Sequence, residues 1–150
     1  MSRSTLLVLV LAAAGCTRNQ DAPGTALQVV FVADAKWKQD EGKKEMESAL
    51  ARFPQIDLVY AHNDPMAIGA YLAAKAKGRD REMKFIGIDA LPGLDGGRQA
   101  VADGKLDATF VYPTGGRQAV ELAARILSGE RVPRKVVLPT EKITRENALR

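Results

Sequence analysis

Short apolar runs alternate along this chain with longer stretches of helical period. Residues 26–33 (Ala-Leu-Gln-Val-Val-Phe-Val-Ala), 58–61 (Leu-Val-Tyr-Ala), 84–88 and 108–111 have the length and side-chain character of strands buried on both faces. The stretch 39–53 repeats apolar positions at Met46, Ala49, Leu50 and Phe53, and Pro54 stops it. After the strand at 58–61, Asp64 is placed to cap a helix, with Pro65 at the first helical position. Ala67, Ile68, Tyr71 and Leu72 then share one helical face, and Gly78 can end the helix in the left-handed conformation. A short helix is predicted over 97–102, before the Asp103-Gly104 turn. A longer one follows Pro113-Thr114-Gly115-Gly116 and carries Ala119, Val120, Ala123, Ile126 and Leu127 on its apolar face. Residues 136–138 read as a last short strand or extended segment, and 145–150 as a polar tail. Strands alternating with helices through short loops predict βαβ units around a parallel sheet. The expected fold class is α/β, a three-layer parallel sheet with helices on both faces, of the Rossmann or flavodoxin kind.

The N-terminus follows another pattern. Arg3 supplies a positive charge, residues 6–14 are apolar but too few to span a bilayer, and Ala13-Ala14-Gly15-Cys16 follows. Residues 1–16 therefore read as an export signal rather than as part of the fold, and 17–25 as a polar tether. Small residues before Cys16 resemble the lipobox of bacterial lipoproteins, which implies lipidation at Cys16, although that motif usually has Leu at the position of Ala13. A plain secretory signal with an incidental cysteine is the alternative. Cys16 is the single cysteine, so no disulfide can form within the chain.

Length and charge narrow the rest. The 150 residues suit one domain, here 26–144, with a sizeable core. The net charge of +4 comes from 22 basic and 18 acidic residues that are interspersed, as in Lys38-Gln39-Asp40-Glu41. That reads as a solvated surface and not as a nucleic-acid patch, which needs a face of one sign.

Candidate chemistry collects where strands end. Asp34 and Trp37 follow the first of these strands, Asn63 the second, Asp89 the third and Tyr112 the fourth. In an open parallel sheet those ends share one edge, where ligands bind. A carboxylate and a carboxamide can hydrogen-bond pairs of hydroxyls, and an aromatic ring can cover the C–H face of a sugar. Each residue also has a structural alternative: Asn63 in a turn, Asp89 as a cap, Trp37 in the core, Tyr112 on the surface. Catalysis finds little support. His62 is the one histidine, and no Gly-x-Ser-x-Gly elbow, dinucleotide fingerprint, phosphate loop or zinc-ligand cluster is present. No catalytic residue, metal or cofactor is expected, and the chain is read as a binding protein and not an enzyme.

Three ordered stretches carry a resemblance: His62 to Ala70 (His-Asn-Asp-Pro-Met-Ala-Ile-Gly-Ala), Phe85 to Ala90 (Phe-Ile-Gly-Ile-Asp-Ala) and Ala100 to Thr109 (Ala-Val-Ala-Asp-Gly-Lys-Leu-Asp-Ala-Thr). They are similar to consecutive motifs of the type I periplasmic sugar-binding proteins of the ribose-binding kind, and the similarity runs from about Val29 to Thr144. The resemblance implies a lobe of that fold and a small sugar-like ligand. It implies as partner a membrane permease of an ABC transporter or, alternatively, a sensor kinase. Asn63 and Asp89 match sugar-hydroxyl binders, Trp37 matches an aromatic that packs on the ring, and Tyr112 stands where ribose binders have Gln. In that family an N-terminal lobe and the opening of the C-terminal lobe precede the position of Val29, and the helix after Gly115 belongs to the other lobe. The chain is thus expected to be a partial member, exported to the periplasm or cell envelope and touching membrane only through a lipid on Cys16. A truncated member with little binding activity, a small flavodoxin-like or hydrolase enzyme and a repressor's effector domain are the competing readings.

Overall fold

A computed structural model describes residues 6–12 and 27–150. Strand β1 spans Leu6–Ala12 and β2 spans Leu27–Asp34. Helix α1 is Gln39–Arg52, β3 is Leu58–Ala61, α2 is Asp64–Ala76 and β4 is Lys84–Ile86. Helix α3 is Gly97–Ala102, β5 is Thr109–Phe110, α4 is Gly116–Leu127 and β6 is Lys142–Ile143. Four strands form a parallel sheet in the order β2-β1-β3-β4. Parallel bridges from Ile86 to Ala108 and from Asp89 to Val111 attach the β5 segment beside β4, and β6 pairs antiparallel with β5. The α/β class with a parallel sheet is as the sequence predicts.

Leu6–Ala12, read above as the apolar core of an export signal outside the fold, is a strand here. It pairs with β2 on one side, from Leu6 against Leu27 to Ala12 against Asp34, and with β3 on the other. A leader core and a doubly paired parallel strand both need an uninterrupted apolar run, so composition alone does not separate them. Cys16 and the tether 17–25 lie outside the described residues.

The core forms where α1 and α2 meet. Gly42 of α1 faces Met66, where a Cβ would come within 2.6 Å of the Met66 carbonyl oxygen; Gly69 of α2 lies against the α1 backbone at Gln39. With no side chain at the crossing, the helices approach closely, and small residues fill what remains: Ala67, Ala70, Ala73 and Ala74 are all fully buried. The buried face of α2 is therefore this alanine face with Met66, while Ile68, Tyr71 and Leu72, expected on the buried stripe, are only half-buried. Phe85 is buried and meets the edge of Tyr71, ring centroids 5.6 Å apart. Arg79 closes the far end of α1, donating to the carbonyls of Leu50, Phe53 and Pro54 and pairing with Glu82 at 2.8 Å. A cation on otherwise unmatched helix-end carbonyls is favourable both as hydrogen bonding and against the helix dipole.

The C-terminal expectations change. Residues 136–138 form no strand, and Val137 is exposed; the pairing with β5 comes from Lys142–Ile143 instead. Residues 145–150 are not a loose polar tail, because Ala148 is buried and Asn147 accepts from the Thr144 N–H while donating to the Lys142 carbonyl. One small apolar residue and the side-chain hydrogen bonds of Asn147 anchor a segment whose composition is otherwise polar.

Helix α4 has no buried residue: Val120 is 72% exposed and Leu127 89%. Its apolar face thus meets solvent, with Ile126 exposed beside them. A contiguous exposed apolar face favours association. The purified chain should therefore self-associate as its concentration rises, and Val120→Glu with Leu127→Lys should return it to monomer in sedimentation or light scattering. A wild-type chain that stays monomeric and binds no hydrophobic dye would contradict this.

Candidate functional site

The turn from β2 into α1 is unusual in its backbone. Lys36 and Trp37 both have positive φ, 50° and 63°. Asp34 holds the turn by accepting the Lys36 N–H at 2.9 Å, and the Lys38 N–H donates to the Ala35 carbonyl. The Trp37 side chain is 54% exposed, so it is not a core residue.

The Trp37 carbonyl accepts from Asn63 Nδ2 at 3.1 Å, which ties the first strand end to the second. Asn63 Oδ1 accepts the Met66 N–H at 3.0 Å, so Asn63 is the N-cap of α2, and Asp64 is not. The Asn63 carboxamide stands at the N-cap position and accepts the free N–H of the first turn, while Asp64, one position on, turns into the interior. Asn63 is 7% exposed, and its carboxamide retains one further N–H to donate.

Strands β3 and β4 run parallel with Leu58 against Lys84 and Tyr60 against Ile86. Asn63 and Asp89 each follow the end of one of these neighbours, so they stand at the same edge. Asp89 bridges to Val111, its N–H donates to the Phe110 carbonyl at 2.9 Å, and the Tyr112 N–H points to its carbonyl at 3.5 Å. Tyr112 is thus next along the edge and 67% exposed. The backbone thus sets Asn63, Asp89 and Tyr112 in order along one edge, and the carbonyl of Trp37 is tied to Asn63. His62 lies beside them with its ring edge-on to Tyr60, 5.4 Å between centroids. Among the described residues no group of His, Cys, Asp or Glu could hold a metal.

Sequence reasoning took Asp64 for a cap and missed its place in the site's frame. Its carboxylate is 2% exposed; Oδ1 accepts from the Thr109 hydroxyl at 2.6 Å and Oδ2 from the Ala90 N–H at 2.8 Å. Gly87 and Gly97 lie against the same carboxylate, where a side chain on either would collide with it. The signal available in the sequence was two cap-capable residues in a row, Asn63-Asp64, of which a helix uses one. Burial raises the Asp64 pKa from 3.8 to about 6, against the opposing pull of the Thr109 and Ala90 hydrogen bonds, and the neighbouring Asp89 charge raises it further. Burial also raises the Asp89 pKa.

A carboxyl whose folded pKa lies above its unfolded value contributes its full stability below about pH 4, where both states are protonated, and loses it as pH rises through 6. Two pKa units correspond to about 3 kcal/mol. Asp64→Asn can still accept the Ala90 N–H and donate to Thr109, and it carries no charge. In denaturant unfolding, the stability of Asp64→Asn relative to wild type should rise by about 3 kcal/mol between pH 4 and pH 7. Parallel pH curves for the two proteins would contradict the raised pKa.

Known proteins share the sequence pattern and the fold. The sequence pattern of the periplasmic binding protein domain matches residues 12–131. The ribose import binding protein of Bacillus subtilis is 34% identical over 125 residues, 80% of this chain and 38% of that protein. The fructose-binding periplasmic domain of a hybrid two-component system superposes with a TM-score of 0.85 at 39% identity, covering 97% of this chain and 52% of that one. A solute-binding protein of an ABC transporter from Bacillus halodurans, solved with myo-inositol, gives 0.79 at 29% identity, covering 97% and 53%. The chain thus spans about half the length of those structures and under two-fifths of the curated relative. By sequence pattern, by identity to its relatives and by the course of its sheet, this chain belongs to the periplasmic binding protein family.

Proposed function

We propose that this chain binds a sugar-like ligand at the edge formed by Trp37, Asn63, Asp89 and Tyr112, as the exported solute-binding part of an ABC-type sugar importer. The observation that carries the reading is the juxtaposition of Asn63 and Asp89 at the ends of adjacent parallel strands, with Trp37 tied to Asn63 through its carbonyl. Carboxylate and carboxamide accept and donate to vicinal hydroxyls, and the exposed Trp37 and Tyr112 rings offer apolar faces to a sugar's C–H groups. The ribose import binding relatives support the ligand class. The fructose-binding domain of the hybrid two-component system supports a second reading, in which occupancy is passed to a sensor kinase instead of a permease. Transport defects after deletion, with signalling intact, would favour the first.

The edge supplies one face for the ligand. A complete cleft of about micromolar affinity corresponds to roughly 8 kcal/mol. Hydrogen bonds contribute about 0.5–1.5 kcal/mol each, and losing half of them with the exclusion of water leaves roughly 4 kcal/mol, on the order of millimolar. Calorimetric titration of the purified chain with pentoses and hexoses should therefore show about millimolar binding at best. Micromolar binding that disappears in Asp89→Ala would show that this face suffices alone.

Export and anchoring are the second part of the proposal. Arg3, the apolar run and Ala14-Gly15-Cys16 support a lipid on Cys16. A chain cut before Cys16 has no β1, so β2 and β3 would face each other across an unpaired gap. Wild-type protein should fractionate with membranes and Cys16→Ser with the soluble fraction. Equal solubility of the two would remove the anchor from the reading.

A further inference from the structure

Asp89 and Ala90 are consecutive non-glycine residues with positive φ, 115° and 52°. Such conformations are unfavourable for side chains with a Cβ and persist only where the surroundings impose them. The β5 segment holds one side of the pair, through the Asp89 N–H on the Phe110 carbonyl. The other side is held by the Ala90 N–H on Asp64 Oδ2 at 2.8 Å. The same carboxylate is fixed by Thr109 at 2.6 Å and fills the space left by Gly87 before the strained pair and Gly97 after it. Asp64 begins α2, directly after the cap residue Asn63, so it moves with the end of that helix.

We infer that Asp64 is the positioning residue of the site: it fixes the Asp89–Ala90 backbone, and so the direction of the Asp89 carboxylate, relative to Asn63. One dipeptide, Asn63-Asp64, then sets both polar ligand groups against a single helix end. The inference rests on the binding reading only for its consequence; the positioning itself is a property of the unliganded chain.

The test uses the full chain with isotope labels. In wild type, a coupling across the hydrogen bond should link the Ala90 N–H to the Asp64 side-chain carboxyl. Its absence overturns the inference whether or not any variant folds. Asp64→Ala should exchange the Ala90 amide about tenfold faster, as for loss of one buried hydrogen bond, and shift the Asp89 amide resonance, with Val59 and Phe85 in the core unchanged. Asp64→Asn should restore both, which a loss of general stability would not do. With D-ribose as probe, the shifts induced at Asn63 and Asp89 should vanish in Asp64→Ala and return in Asp64→Asn. A folded Asp64→Ala chain with wild-type Ala90 exchange and an unmoved Asp89 resonance overturns the inference. If D-ribose and D-fructose perturb no amide of the wild-type chain, the sugar-binding reading falls, and the exchange comparison still decides the positioning.

Discussion

A buried carboxylate joins the elements of this fold that lie far apart in sequence. Asp64 sits at the start of α2, accepts from the loop after β4 and from β5, and excludes side chains at Gly87 and Gly97. Taking a carboxyl out of water is expensive, and two hydrogen bonds to its oxygens offset part of that cost. Where such a group is satisfied from two directions it permits few alternative arrangements of its donors. The strained turn at Asp89 is tolerable because the carboxylate and β5 grip it from opposite sides.

Much of the fold was legible because apolar periodicity and turn chemistry agree. The strand at 58–61 and helices α1, α2, α3 and α4 fall within a residue or two of their expected places, and the joint position of Asn63, Asp89 and Tyr112 follows from parallel pairing alone. What could not be read had specific causes. Asn63 and Asp64 are chemically near-equivalent as caps, and only the depth of the neighbouring strands decides which one turns inward. The buried face of α2 is alanine rather than the larger Ile68, Tyr71 and Leu72, because Gly42 and Gly69 bring the helices too close for bulk. Ala148 is anonymous in a polar tail, yet it joins the same buried cluster as Ile143. The ligand roles of Trp37, Asn63, Asp89 and Tyr112 rest on placement plus kinship, which neither spacing nor composition supplies.

Two elements have sequence patterns that suit more than one use. Strand β1 stands in the middle of the sheet although its sequence also reads as a leader, and the two uses exclude each other in one molecule. Helix α4 has the amphipathic pattern of a packed helix and no packed face. Of the two, only α4 lies at a margin of the fold; β1 is held between β2 and β3.

The short antiparallel pair of β5 and β6 has a topological result. Thr109 pairs with Ile143, and the Thr140 hydroxyl donates to the Val111 carbonyl, so the chain leaves and re-enters the body of the protein at one point. Everything between, α4 included, is a closed excursion clasped at its base. Loop closure depends only weakly on length, with each doubling costing about 0.6 kcal/mol. To the rest of the molecule this excursion is therefore nearly weightless, a module that can be lengthened, exchanged or shortened to a turn while the edge that carries Asn63 and Asp89 stays where it is.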